Sequence, residues 1–193
     1  LIIAACNTVS AAALPFLTEK QEVPVLGVVE MGAEAALATK PRRLGVIGTE
    51  TTIASEAYIR AIHKRASGVE VVQKACPFFV SLIEELWLDD PITHLVIERY
   101  LAPMRAAQID TLILGCTHYP LISAALQEFF GPAVRLVDSA EAMVAALRKE
   151  FAARNILPAS PGANGCRYFV TDRGSRFQQL VEAFLGERDI QVQ

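Results

Sequence analysis

Basic side chains are too few in this sequence to build a nucleic-acid surface. Lys and Arg number 18 against 21 Asp and Glu, for a formal charge of -3, and nowhere do they cluster densely enough to override that balance. An anionic ligand would therefore be held by local backbone N–H groups rather than by a basic field. Cysteine is scarce too: Cys6, Cys76, Cys116 and Cys166 stand far apart, with no C-x-x-C pair. That excludes a disulfide framework at this length and a zinc site of the usual paired spacing, so no metal is expected. Reduced thiols in a cytoplasm are the default. No apolar run approaches the length needed to cross a bilayer. Leu1 to Leu17 is uncharged, but it lacks a basic leading segment and is interrupted by Asn7, Thr8 and Ser10, so it reads as a core strand and helix rather than a signal peptide. Leu1 is not a Met, and the sequence opens inside what reads as a buried strand, so further chain is expected upstream.

What is present is a chain of 193 residues, 52% hydrophobic and 20% charged, enough for the core of one or two small domains. Short apolar runs alternate with helical patterns throughout. Leu1–Ala5, Val23–Val29, Leu44–Gly48, Val69–Val72, Asp110–Gly115, Val134–Val137 and Arg167–Val170 read as strands. The intervening helices include Val9–Leu17, Glu30–Thr39, Phe78–Leu86, one starting at Asp90-Pro91 and kinked or restarted at Pro103, Leu121–Phe130, Ala140–Ala153 and Ser175–Leu185. Pro158 to Gly165 reads as a loop. The alternation predicts an α/β fold with parallel sheets covered on both faces.

The stretch Leu112-Ile113-Leu114-Gly115-Cys116-Thr117-His118-Tyr119-Pro120 organises the rest. An apolar strand stops at Gly115, and a thiol, a hydroxyl and an imidazole follow just before a helix. In open α/β sheets ligands sit at this end of the strands, where the next helix offers free N–H groups and the positive end of its dipole. The pattern recurs in Leu1-Ile2-Ile3-Ala4-Ala5-Cys6-Asn7-Thr8, so two thiols are expected to face one ligand. Thr49, Thr51 and Thr52 after Leu44–Gly48 form a plausible carboxylate or phosphate cradle. A lone Cys in apolar surroundings is more often a core residue than a catalyst, and Cys76 and Cys166 are assigned to that class. His63 and His94 fall on charged or amphipathic helices and are expected at the surface.

The strings Ala5-Cys6-Asn7-Thr8, Gly48-Thr49 with Thr52, Ala75-Cys76-Pro77 leading to Glu84-Glu85, Gly115-Cys116-Thr117-His118-Tyr119-Pro120 and Val137-Asp138-Ser139 occur in the order found in glutamate racemases. From Leu1 to about Gly186 the chain resembles that family. The Gly-Cys-Thr-His-Tyr-Pro string is highly specific, whereas aspartate racemases carry something like Ala-Cys-Asn-Thr. The resemblance implies a cofactor-independent interconversion of L- and D-glutamate that supplies D-glutamate for peptidoglycan. It also implies two α/β domains related by a pseudo-two-fold axis: residues 1–33 with 142–193 in the first, and 34–141 in the second. The family's opening strand, its Asp-Ser-Gly-type motif and its Tyr-Gly pair have no counterpart here, so the chain resembles roughly the last three quarters of a racemase. An incomplete first domain and an inactive or impaired fragment are the matching expectations.

Racemisation needs proton transfer on both faces of Cα, which a pair of thiols supplies, one as thiolate base and one as neutral acid. By the resemblance, Cys6 serves one face and Cys116 the other. Placement at a helix N-terminus is expected to help ionise a thiol whose ordinary pKa is about 8.5. The resemblance also implies that Glu84 and His118 lie near Cys116, His118 as a proton relay or an orienting group. Asn7, Thr8, Thr49, Thr52, Thr117 and His118 are assigned to binding the ammonium and carboxylate groups of glutamate. Two rivals stay open: a relative acting on aspartate or another small acid, and a non-catalytic truncated domain that binds a partner. The resemblance leaves a homodimer open as well.

Overall fold

The computed structural model describes residues 1–155, 167–171 and 177–186. The chain starts with a small parallel sheet. β1 (Ile2–Ala4) pairs with β2 (Val25–Gly27), placing Ala4 opposite Gly27. Where one helix was expected over Val9–Leu17 there are two, α1 (Asn7–Ala12) and α2 (Leu14–Lys20). Pro15 lies in the first turn of α2, where its missing N–H leaves no bond unmade, so the helix restarts there instead of running through. α3 (Val28–Ala38) leaves β2 without a loop.

The larger sheet has four parallel strands in the order β4-β3-β5-β6: β3 (Arg43–Gly48), β4 (Glu70–Ala75), β5 (Thr111–Gly115) and β6 (Arg135–Asp138). Between β3 and β4 run α4 (Glu50–Ala54) and α5 (Ala57–His63), divided at Glu56, whose φ of 54° ends the first helical segment. α6 (Phe78–Glu84) and α7 (Pro91–Ala106) connect β4 to β5. A 3₁₀ turn over Tyr119–Ile122 and α8 (Ser123–Phe130) precede β6, and α9 (Ser139–Ala153) follows it.

Strand alternation divides the core into two apolar layers. Leu44 and Val46 of β3 and Ile113 of β5 pack with Val29, Ala33 and Ala36 of α3 and with Tyr58, Ala61 and Ile62 of α5. Ile47, Leu112 and Leu114 point the other way, onto Phe79 and Ile83 of α6, Ile97 and Leu101 of α7, and Leu126 of α8. Both faces of the sheet are thus covered, which is why its strands read as continuous apolar runs. α7 begins as its sequence dictates: the Asp90 carboxylate accepts the Ile92 N–H at 2.8 Å, and Pro91 fills the first turn. It does not break at Pro103. The helix continues to Ala106 because its last turns bury Leu101 and Met104, outweighing the bond that proline removes.

Leu1–Lys149 form one compact unit and Glu150–Gln193 a second. The described part of the second holds the last turn of α9 and then α10 (Phe177–Leu185), closed by Gly186 at a φ of 67°. The strand expected over Arg167–Val170 is reduced to a single bridging residue, Tyr168. The Pro158–Gly165 loop and Cys166 lie outside the described residues. Among the described residues, no helix is long and apolar enough to cross a membrane.

Register sets what comes next. Gly48 lies opposite both Ala75 and Gly115, and Leu114 lies opposite Asp138. All four strands therefore release their chains at one end, where Thr49, Cys76, Cys116 and Ser139 follow. A Cβ on Gly115 would fall 2.5 Å from the Ile47 carbonyl oxygen, while one on Gly68 would meet nothing within 4 Å. Gly115→Ala is expected to lower stability in urea denaturation by about 2 kcal/mol or more, because the clash is with backbone. Gly68→Ala is expected to stay within about 0.5 kcal/mol of the parent.

Candidate active site

Cys6 stands two residues past β1, at the N-cap of α1, exposed and unpaired. Its extended backbone aims the chain out of the strand, and its carbonyl accepts the Ser10 N–H that opens the helix. Cys116 directly follows β5 and is buried. Its Sγ lies 3.7 Å from His118 Nδ1, and the opposite ring nitrogen, Nε2, lies 3.3 Å from Glu84 Oε1 at the end of α6. Carboxylate, imidazole and thiol thus form a line, from the half-exposed Glu84 inward to Cys116.

The electrostatics of Cys116 correct one expectation. No long helix starts at this thiol: the chain turns, forms the 3₁₀ segment, and enters α8 only at Ser123. Burial is the largest influence and pushes its pKa above the ordinary thiol range. Hydrogen bonding from the backbone of His118 pulls it down, charge on Cys6 pushes it up, and the backbone of Tyr119 pulls it down again. Cys116 therefore senses charge on Cys6. An ionised Cys6 disfavours ionisation of Cys116, so the pair favours one thiolate and one thiol.

The hydroxyl residues gather as well. Thr8 Oγ1 is 2.8 Å from Thr49 Oγ1 and 3.2 Å from Thr52 Oγ1, and the latter two are 3.0 Å apart. Thr49 caps α4 by accepting the Thr52 N–H. This triangle ties the first turn of α1 to the end of β3. Thr52 is fully buried within it, while Thr8 and Thr49 are half-buried. Thr117, also half-buried, follows Cys116 at the neighbouring strand end.

Asn7 is buried, and both halves of its amide are engaged. Its Nδ2 donates to Ser139 Oγ at 3.0 Å, and its Oδ1 accepts from the Tyr58 hydroxyl at 2.6 Å. Sequence reasoning did not single out Tyr58, because a tyrosine on an apolar helical stripe reads as core. Ser139 is legible in the sequence as the end of the Val-Asp-Ser string and as part of the cap of the helix after it, not as a partner of Asn7. Cys76 is a core residue here: fully buried, its thiol pushed up to about 12 chiefly by burial, its carbonyl accepting the Tyr119 hydroxyl at 3.0 Å. That bond and the edge-on contact of Tyr119 with Phe79, ring centres 5.3 Å apart, anchor the loop carrying Cys116 to the end of β4. His63 is exposed, and His94 is paired with Asp89 at 2.9 Å. Among the described residues, no group of three or more His, Cys, Asp or Glu is placed to hold a metal.

Comparison with known proteins gives a consistent result. The model of the Asp/Glu/Hydantoin racemase family matches residues 1–147. The glutamate racemase of Syntrophus aciditrophicus is 46% identical over 187 residues, which span 96% of this chain and 69% of that protein. Among solved structures, a glutamate racemase isoform from Bacillus anthracis superposes with a TM-score of 0.91 at 35% identity, covering 99% of this chain and 71% of that one. The Francisella tularensis glutamate racemase, solved with D-glutamate, gives 0.89 at 34% identity over 100% of this chain and 72% of that one.

The burial difference between the three described thiols has a direct readout. With iodoacetamide and peptide-resolved mass spectrometry, Cys6 is expected to react at least about tenfold faster than Cys116 near neutrality, with Cys76 unmodified in the folded protein. The Cys116 rate should keep rising with pH beyond the range in which a free thiol has levelled off, because its thiolate forms later.

Proposed function

The chain belongs to the Asp/Glu/Hydantoin racemase family, and we propose that it carries the two-thiol machinery of a cofactor-independent glutamate racemase. The observation that carries this reading is the pairing itself: two unbridged thiols at the carboxyl ends of two parallel sheets, with Cys116 sensing the charge of Cys6 and backed by the His118 and Glu84 line. Glutamate is favoured as the small-molecule substrate because relatives at 45% and 46% identity carry that name and because one solved relative was captured with D-glutamate.

Each half of the reaction has its residues. The thiolate of one cysteine takes the Cα proton, leaving the bonding pair on a carbanion conjugated with the substrate carboxylate. The thiol of the other gives its proton to the opposite face, so the two sulfurs exchange protonation states with each turnover. His118, bridging Cys116 and Glu84, can hand that proton toward solvent and reset the pair. Thr8, Thr49 and Thr117 supply hydroxyls at the half-buried rim for the polar groups of the substrate, with Asn7 and Thr52 holding the rim in shape. The same reading divides the chain into residues 1–33 with 142–193 and residues 34–141, supported by the presence of two separate parallel sheets. A cytoplasmic enzyme feeding D-glutamate to peptidoglycan follows from it. A homodimer is compatible with the same reading, and the exposed Phe78, Trp87, Ile92 and Leu95 offer apolar surface for it.

The test is deuterium incorporation at Cα of L- and D-glutamate in heavy water, followed by NMR. It is run on this chain and on a chimera adding the portion of the Syntrophus enzyme that the chain does not match. Exchange with either version, lost by about a thousandfold or more in Cys6→Ser and in Cys116→Ser, is the expected result. Glu84→Gln should be milder, about tenfold to a hundredfold, since it acts through His118. Enantiomers have equal free energy, so every variant must lower kcat/KM equally in the two directions, whichever face it serves. Exchange of aspartate but not glutamate would transfer the assignment to a relative acting on the shorter acid. No exchange with either acid would sink the racemase reading.

A further inference from the structure

Tyr58 meets α1, α3, the end of β5 and the start of α9, yet lies outside the chemistry described above. Its ring and hydroxyl are fully buried. The hydroxyl donates to Asn7 Oδ1 at 2.6 Å, and Asn7 is the residue next to Cys6. The same asparagine is held from its other end by Ser139, at the start of α9, whose hydroxyl lies beside the phenol. One edge of the Tyr58 ring faces Gly115, the residue next to Cys116: a Cβ built there would sit 3.2 Å from Tyr58 Cε2. On α3, a Cβ at Gly32 would lie 3.1 Å from the Tyr58 hydroxyl and 3.2 Å from the Ser139 Cβ, so the missing side chain is what admits this polar group to the core. One side chain therefore joins the Cys6 unit by its polar end and the Cys116 unit by its ring.

Resting on the racemase reading of the two thiols, we infer that Tyr58 is a positioning residue that sets Cys6 against Cys116, with Ser139 as the second anchor of the same device. The phenol suits the task because it stays neutral: burial raises its pKa well beyond the usual tyrosine range, with Ser139 opposing and the charges of Asp138 and Cys116 adding to the rise. It is a donor to Asn7 under all ordinary conditions. Removing it leaves a buried amide oxygen without a partner and takes away one of the polar ties that hold the first turn of α1. A displacement of about 1 Å at Cys6 is enough to lower a proton-transfer rate severely.

The experiment measures the thiol pair with and without turnover. In the parent chain, Cys6→Ser is expected to move the pH midpoint of Cys116 alkylation downward, because it removes the charge that opposes ionisation. In a Tyr58→Phe background, which keeps the ring and so the packing on Gly115, that shift should shrink by about half or more, since the coupling depends on separation. Ser139→Ala should shrink it in the same sense. Where exchange is measurable, Tyr58→Phe should lower kcat about tenfold or more while KM changes less than about threefold. An undiminished thiol coupling in Tyr58→Phe and Ser139→Ala, with only melting temperature lowered, would show Tyr58 to be a packing residue and overturn the inference. A coupling that depends on Tyr58 in a protein that exchanges no amino acid would uphold the positioning and overturn the racemase reading instead.

Discussion

The hydrogen bond from Tyr58 to Asn7 is the constraint on which the geometry of this molecule turns. It joins α5, packed on the large sheet, to α1, which springs from the small one, and both of its side chains are buried. A buried amide or hydroxyl without a partner costs about 1–3 kcal/mol, so the arrangement of Tyr58, Asn7 and Ser139 tolerates little slippage. The threonine triangle of Thr8, Thr49 and Thr52 adds a second polar tie between the same two parts of the chain. Apolar contacts alone accept many near-equivalent packings. Directional bonds at two places select one of them.

Around this polar centre, the parallel sheet supplies reach and rigidity. Because its strands are in register at Gly48, Ala75 and Gly115, the chains leaving them begin at a common level. Small residues at that level let backbone approach backbone, and the larger groups, Tyr58 and Tyr119, then fill the space on the two faces of the sheet. Cys116 thus sits in a loop pinned from both sides. Its burial works against ionisation, while hydrogen bonding from the His118 and Tyr119 backbones works for it. A thiol held between these influences is suited to carrying a proton in one half-reaction and lacking it in the other.

Sequence and structure agree most closely where a short string contains its own geometry. Asp90-Pro91 starts a helix, Gly131 and Gly186 end helices with positive φ, and the strands ending at Gly48 and Gly115 appear where apolar runs stop at glycine. Agreement is weaker where local preference competes with packing. Pro103 reads as a kink or a restart, but the apolar face around Leu101 and Met104 carries the helix on to Ala106. Pro15 splits a segment that periodicity joins.

The sequence by itself determined the chemistry available and its approximate place: two Cys-containing strand ends, a Cys-Thr-His-Tyr-Pro turn, and hydroxyls after Gly48, all recognisable because strand, glycine and reactive residue are neighbours along the chain. Only the tertiary structure decided which of these groups meet. Glu84 reaches His118 across 34 residues, Tyr58 reaches Asn7 across 51, and Ser139 reaches Asn7 across 132. No periodicity or local propensity records such pairings, because they arise when sheet register brings distant strand ends to one level and burial then forces each polar group to find a partner.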